Sequence, residues 1–261
     1  MNYLTIKENG LSVEIILQRP EVRNAFNPEM ILEITKIFND LRNRKNLRAI
    51  VLRGEGKVFC AGADLSWMQS MANYNFEQNQ EDAQKLFEMF NAIERTNIPV
   101  LAMVQGAVFG GGLGLVAACD FVVAEKNTQF CFSETKLGLV PAVISAFVKN
   151  KCFMGQIRPY MLSAMVFSAA KAQGLGLITE VAEDADSANK LIQQIVENLF
   201  ECGPEAVRAT KALTRDVPSL LGNELKERTA KVISERRVST EGQEGLKAFL
   251  EKRTPHWRTR E

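Results

Sequence analysis

The chain has 261 residues, 46% hydrophobic and 24% charged, with 32 Lys and Arg against 31 Asp and Glu. That composition suits a soluble α/β protein with a sizeable core, and the net charge of +1 removes the electrostatic case for a nucleic-acid binder. A single histidine, His256, excludes a two-histidine zinc motif and leaves Ser-His-Asp or Cys-His catalysis to one residue near the chain end, so acid–base work falls to carboxylates.

The five cysteines (Cys60, Cys119, Cys131, Cys152 and Cys202) are odd in number and never form a CxxC pair, which argues against a disulfide framework or a zinc cluster and fits a reducing compartment. The first residues carry no apolar signal region, and no window approaches ~18 uninterrupted apolar residues. The expectation is a cytoplasmic protein without a membrane span.

In chain order, Tyr3–Lys7 and Leu11–Leu17 flank Glu8-Asn9-Gly10 and read as a hairpin, since Asn-Gly favours a tight turn. Asn27-Pro28 reads as a helix N-cap followed by proline at the first helical position, and Ile31, Ile34, Ile37, Phe38 and Leu41 recur at helical spacing. Residues 48–53 form a short buried strand. A second amphipathic helix places Ala83, Leu86, Phe87, Phe90 and Ile93 on one face. Residues 99–104 are strand, Gly110-Gly111-Gly112 opens a helix through Cys119, and 120–124 return to strand. Alternating strand and helix argue for an α/β fold with a parallel sheet. From Asp184 the pattern is helical, with Leu191, Ile195, Val196 and Leu199 on one face, a break at Gly203-Pro204, and a helix to about Leu213. We divide the chain into an α/β core, 1–195, and a helical C-terminal region, 196–261, whose lack of a separate core suits an oligomer contact.

The glycine-rich segment admits more than one use. Gly112-x-Gly114-x-x-Ala117 matches the dinucleotide fingerprint. However, the acidic residue expected ~20 residues on, after the next strand, is missing, since Asp120 precedes that strand. Alternatively, the glycines let backbone approach a ligand closely, and the helix start behind them offers free N–H groups and a partial positive charge to an oxyanion. A third use is close helix–strand packing. A second small-residue loop, Ala61-Gly62-Ala63-Asp64, lies upstream, and two N–H donors from two loops can pinch one oxygen.

Arg19-Pro20…Asn24-Ala25, Phe59-Cys60-Ala61-Gly62-Ala63-Asp64-Leu65, Gly106-x-x-x-Gly110-Gly111-Gly112-x-x-Leu115-x-x-x-Cys119-Asp120 and Glu134-x-x-Leu137-Gly138-Leu139-x-Pro141 together resemble the crotonase (enoyl-CoA hydratase/isomerase) superfamily over nearly the whole chain. The stretches 59–68 and 136–145 look most like bacterial methylglutaconyl-CoA hydratases of leucine breakdown. The resemblance implies a crotonase-like ββα spiral with a helical C-terminal extension used in trimerisation, and trimers that pair into hexamers. It also implies an acyl-CoA substrate whose coenzyme A enters as the thioester, so that no separate cofactor is needed. The thioester oxygen would lie between the N–H groups of Ala63 and Gly111, which stabilise an enolate, with Glu134 as the catalytic glutamate. Its neighbours Phe130, Cys131 and Phe132 would raise its pKa by desolvation.

Arg23, Ala25, Lys57, Ala61, Asp64, Leu65, Trp67, Gly110, Gly114 and Pro141 fall where substrate is expected. Phe249 and Lys252 would reach coenzyme A bound to a neighbouring subunit, within a basic tail that includes Lys247, Arg253, Arg258 and Arg260. The chain departs from two-glutamate hydratases at Gly114, where they carry a second carboxylate. Hydration with another polar group holding the water, hydration with Glu134 making both proton transfers in turn, and isomerisation by Glu134 alone therefore all stay open.

Overall fold

The computed structural model describes residues 3–258. Strands β1 (Leu4–Asn9) and β2 (Ser12–Leu17) form the expected hairpin, with Asn9 opposite Ser12. The turn is therefore Gly10-Leu11, slightly later than the flanking residues suggested, and Gly10 takes the left-handed conformation, φ +62°. Helix α1 (Pro28–Arg42) begins where its cap predicts: the Asn27 side chain accepts the Met30 N–H at 2.8 Å. Ile31, Ile34, Ile37, Phe38 and Leu41 are all buried.

After β3 (Ala49–Gly54) comes a short helix that apolar periodicity did not reveal, α2 (Leu65–Met71), capped by Asp64. In α3 (Phe76–Arg95) only the C-terminal half of the expected face packs. Phe90 and Ile93 are buried with Met89 and Ala92, whereas Ala83 and Phe87 are exposed. Next, β4 (Val100–Val104), β5 (Ala107–Phe109), α4 (Gly111–Ala118), β6 (Phe121–Glu125) and β7 (Gln129–Cys131) repeat a long strand, a short strand and a helix or turn. Then follow α5 (Ala142–Val148), α6 (Met154–Ser163), β8 (Phe167–Ser168), α7 (Ala169–Gly174) and β9 (Glu180–Ala182).

The long strands pair in the order β1-β2-β3-β4-β6-β9, parallel except for the β1–β2 hairpin, and the short ones form a second sheet, β5-β7-β8. Cys60 extends the second sheet through a bridge to Val108. Each ββ unit thus feeds one strand to each sheet, and the chain winds as a spiral. This matters for the site, because the crossings after the parallel strands β3 and β4 leave from the same end of the main sheet and carry the two small-residue loops.

Alternate residues of the main sheet serve two cores. Ile50, Leu52, Val100, Ala102 and Val122 join the large core under α1, α3 and α4. Ala49, Val51, Leu101, Met103 and Val123 face α8 (Ala185–Glu201) through Ala188 and Ile192. Burial on both faces explains the unbroken apolar runs of β3 and β4.

Helix α8 is capped by the Asp184 box, and Leu191, Ile195, Val196 and Leu199 pack against the second core. Residue 195 therefore lies inside one continuous helix, and the division drawn after it falls mid-element. The backbone breaks instead at Gly203, before α9 (Pro204–Asp216), which runs past Leu213. There the buried Arg48 donates to the carbonyls of Leu199 and Phe200, at the end of α8. Helices α10 (Gly222–Val238) and α11 (Thr240–Leu250) complete the chain, and Glu241 of α11 accepts the N–H groups of Glu205 and Ala206 at 2.9 and 2.8 Å, capping α9. No helix among the described residues is long and apolar enough to cross a membrane.

Candidate active site

The first loop is held by the segment 19–26. Asn24 is fully buried; its Oδ1 accepts the Arg19 N–H at 2.8 Å, and its Nδ2 donates to the carbonyls of Glu55 and Val58 at 2.9 and 2.8 Å. Arg23 and Asn24 both sit in the left-handed region, φ 56° and 53°, a strained pair that the surrounding hydrogen bonds impose. Phe26 then pairs with the loop as a strand would: its N–H donates to Gly62 O at 2.7 Å, and its carbonyl accepts the Asp64 N–H at 2.7 Å. Those bonds use the groups on either side of Ala63, so the N–H of Ala63 itself points away from Phe26, off the opposite edge.

Asp64 fixes the end of this loop. Arg19 Nη2 meets its Oδ2 at 2.7 Å, and Ser66 N–H and Oγ donate to its Oδ1. Hydrogen bonding from Ser66, then from Arg19, holds its carboxyl below the usual range. Both oxygens serve the chain's own donors, so Asp64 acts here as a cap and an anchor rather than as a contact for substrate. The pair is almost buried, and removing one partner of such a pair typically costs about 3–5 kcal/mol.

The second loop meets the first at Gly62 and Gly110. A Cβ on Gly62 (φ +99°) would stand 3.7 Å from both Gly110 Cα and Gly111 N. Gly110, with φ +48° and ψ −121°, adopts a conformation open only to glycine, and Gly111 begins α4, so its N–H has no partner within the helix. The N–H groups of Ala63 and Gly111 therefore belong to loops in van der Waals contact. The remaining glycines have a different purpose. A Cβ on Gly112 would lie 2.8 Å from Cys60 O, and one on Gly114 only 2.3 Å from Phe90 Cζ. Both sit inside α4 and are buried, not in a turn facing a phosphate, which overturns the dinucleotide reading of Gly112-x-Gly114-x-x-Ala117.

Glu134 opens a 3-10 turn (Glu134–Leu137) just after β7. Its Oε1 lies 3.3 Å from where a Cβ on Gly110 would stand, so the glycine admits the carboxylate to the loop junction. Its Oε2 is buried with no hydrogen-bond partner. Burial pushes its carboxyl above the ordinary glutamate value, opposed only by a bond from its own N–H. A carboxylate with one oxygen facing the junction of the two loops and the other buried and unbonded is what a proton-transferring site requires.

The structure thus brings together Ala61, Ala63, Gly110, Gly111 and Glu134, with Arg23 touching through its carbonyl, which accepts the Ala61 N–H at 3.0 Å. Ala25 is buried and gives its carbonyl to Arg19 at 2.6 Å. Lys57, Arg23 and Leu65 are exposed on the flanks, and Pro141 opens α5 beyond the Glu134 turn. Trp67 is only 6% exposed and belongs to the core, its ring nitrogen turned toward Asp82 but outside good hydrogen-bond geometry.

Phe249 and Lys252 lie at the end of α11, which packs on α9 and α10, and Phe249 is 82% exposed. Much of the basic tail is already paired: Arg253 with Glu244 at 2.7 Å, Arg258 with Glu201 at 2.9 Å, and Lys247 near Glu251. Arg260 lies outside the described residues. A cleft of about 440 Å³ between α1, α9 and α10 is lined by Arg42, Lys45, Arg208 and Arg236 and shares no residue with the loops.

Arg19, Asn24 and Phe26 are supports to which periodicity and composition gave no role, and Phe90, expected on the apolar face of α3, has the further role of covering Gly114. The only signal for the first two was a polar motif around Pro20. Phe90 also decides the fate of position 114. Gly114→Glu will overpack the ring rather than restore a carboxylate, an error that usually costs about 1–3 kcal/mol or more. A lowered Tm without gain in crotonyl-CoA hydration is expected; a stable variant that hydrates faster would show that the ring yields.

Comparison with known proteins agrees with this geometry. The enoyl-CoA hydratase/isomerase family model matches residues 7–260. A solved enoyl-CoA hydratase from Shewanella pealeana ATCC 700345 is 36% identical with a TM-score of 0.93, covering 98% of this chain and 96% of that one. The enoyl-CoA hydratase AKT6-1 of Alternaria alternata is 32% identical over 95% of this chain and 80% of its own, and the crotonyl-CoA hydratase of Syntrophomonas wolfei 28% identical over 97% and 96%. With two glycine loops meeting at an unsatisfied buried glutamate, and a family match over almost its whole length, the chain belongs to the enoyl-CoA hydratase/isomerase family.

Proposed function

We propose that the protein adds water reversibly across the double bond of a 2-enoyl-CoA, with 3-methylglutaconyl-CoA or a similarly branched thioester as substrate. The Glu134 carboxylate carries this reading: its Oε1 faces the place where Gly62 and Gly110 meet, and its Oε2 is buried without a hydrogen-bond partner. In hydration the water oxygen forms a bond to the β-carbon while its proton passes to Glu134. The π electrons move to the thioester oxygen, which the N–H groups of Ala63 and Gly111 hold as an enolate, and Glu134 returns the proton to the α-carbon. Coenzyme A enters as part of the substrate, and no separate cofactor takes part. Its nucleotide would be met by Arg23 and Lys57 of the same subunit and by Phe249 and Lys252 of a neighbour.

Gly114, covered by Phe90, supports a second reading, isomerisation of a 3-enoyl-CoA, for which one shuttling carboxylate suffices. Steady-state assays with 3-methylglutaconyl-CoA, crotonyl-CoA and a 3-enoyl-CoA separate the two. The hydratase reading expects the highest kcat/KM for the branched 2-enoyl ester; turnover of the 3-enoyl ester alone would replace it with the isomerase.

The C-terminal helices support a trimeric assembly as part of this reading. Neither α9 nor α10 has a fully buried residue, and Leu221, Val238, Phe249 and Leu250 are each exposed in this region. We expect light scattering to give a multiple of three protomers; a monomer at micromolar concentration would remove the neighbouring-subunit role of Phe249 and Lys252.

A further inference from the structure

A hydratase that lacks a carboxylate at position 114 still needs two groups to hold its water. One must take the proton, and the other must orient the lone pair toward the β-carbon. α4 cannot supply the second. Phe90, fully buried, abuts Gly114 and is braced edge-on by Phe26 at 6.5 Å and Phe147 at 5.4 Å between ring centres. Phe26 likewise covers Gly111, where a Cβ would stand 2.7 Å from its ring. The face of α4 carrying positions 111 and 114 is therefore closed by aromatic rings, and the polar group must come from elsewhere.

The space over Gly110 contains one. A point one bond from its Cα lies 3.3 Å from Glu134 Oε1, 3.4 Å from Ser133 Oγ and 3.7 Å from Gly62 Cα. A carboxylate oxygen and a hydroxyl thus converge on the place where the two glycine loops touch, and only a glycine at 110 leaves that place open. Ser133 also occupies the N-cap position of the turn that Glu134 begins, where a serine normally accepts a backbone N–H. Here it makes no such bond, so its hydroxyl is not spent on the fold.

We infer that Ser133 holds the reacting water together with Glu134, taking the place of the second carboxylate. The inference rests on the hydratase reading above. Glu134 accepts one water O–H and removes that proton, and Ser133 Oγ accepts the other O–H. The oxygen lone pair is then free to form the bond to the β-carbon. No step requires a charge on Ser133. In the reverse direction the same hydroxyl binds the departing β-hydroxyl group.

This separates two activities that share Glu134. Forming an enolate from a saturated ester such as butyryl-CoA needs Glu134 and the two N–H donors but no held water. Ser133→Ala should therefore lower kcat for crotonyl-CoA hydration by ~10-fold or more, with exchange of the butyryl-CoA α-hydrogen in deuterated water kept within about threefold. Ser133→Thr, which keeps the hydroxyl, should recover most of the hydration. Since the hydroxyl caps nothing, the Tm of Ser133→Ala should stay near that of the parent enzyme, so loss of activity cannot be ascribed to unfolding. Hydration that survives Ser133→Ala, or hydration and exchange that fall together, overturns the role of Ser133 while leaving the hydratase reading intact. If the unsubstituted enzyme hydrates no 2-enoyl ester, the hydratase reading fails and takes this inference with it.

Discussion

Glu134→Gln should reduce turnover by at least ~10²–10⁴-fold, the range that a positioned acid–base group contributes. Gln keeps the shape of the side chain but cannot take a proton, so the Kd for a CoA ester should change little while kcat collapses. Exchange of a substrate α-hydrogen with deuterated water should fall in parallel, because Glu134 both removes and returns that proton. In the unsubstituted enzyme, burial of Glu134 should place the acid limb of the kcat/KM profile above the ordinary glutamate range, as a pH–rate series would read. Stability should move in the opposite sense to activity. A carboxyl whose folded-state pKa is raised favours the folded state only while protonated, and weakens it as pH rises from the unfolded value through the folded one. Above that window Glu134 is a charge with one oxygen buried and unbonded. Glu134→Gln should accordingly match or exceed the parent Tm at pH 7–8, and the advantage should vanish near pH 4. Full activity in the variant would remove the assignment. Asp64, whose two oxygens are held by Arg19 and Ser66, would be a poor replacement.

Gly111→Pro is the second large effect. Proline suits the first position of a helix, so the backbone of α4 can accept it, but the N–H proposed to hold the enolate oxygen is gone. Losing one such donor costs about 10²–10³-fold in kcat. The substitution also introduces a Cβ 2.7 Å from the Phe26 ring, which would disturb the loop on its own account. Gly111→Ala separates the two causes, since it brings the same Cβ and keeps the N–H. The Pro variant should be at least ~10²-fold slower than the Ala variant in α-hydrogen exchange as well as in hydration. Equal rates for the two would mean that Gly111 serves packing alone.

Several features were legible from the residues because their causes are local. The Asn27-Pro28 cap, the α1 stripe from Ile31 to Leu41, the Asp184 start of α8 and the strand–helix alternation each depend on neighbours within a few positions, and each lies where it was expected. The order of the glycine loops and Glu134 identified the family. Short strands such as β5 and β8 left no periodic signal, since two or three residues cannot display one, and they exist only because the main sheet brings their partners alongside.

The division of labour among the glycines belongs to tertiary structure. In sequence, Gly110, Gly111, Gly112 and Gly114 look alike. In the fold Gly110 makes room for Glu134, Gly111 starts a helix with a free N–H, and Gly112 and Gly114 yield space to Cys60 and Phe90, which lie far away in the chain. Glu134 could be picked out by its motif, but its unsatisfied oxygen and raised pKa depend on which groups surround it. Ser133 precedes Glu134 in sequence, but only the fold shows that its hydroxyl and the carboxylate both face Gly110. Residue identity determines which chemistry is available, through local propensity and the kinds of group present. Which groups act together is decided by contacts between distant segments, because only those contacts exclude water and fix distances.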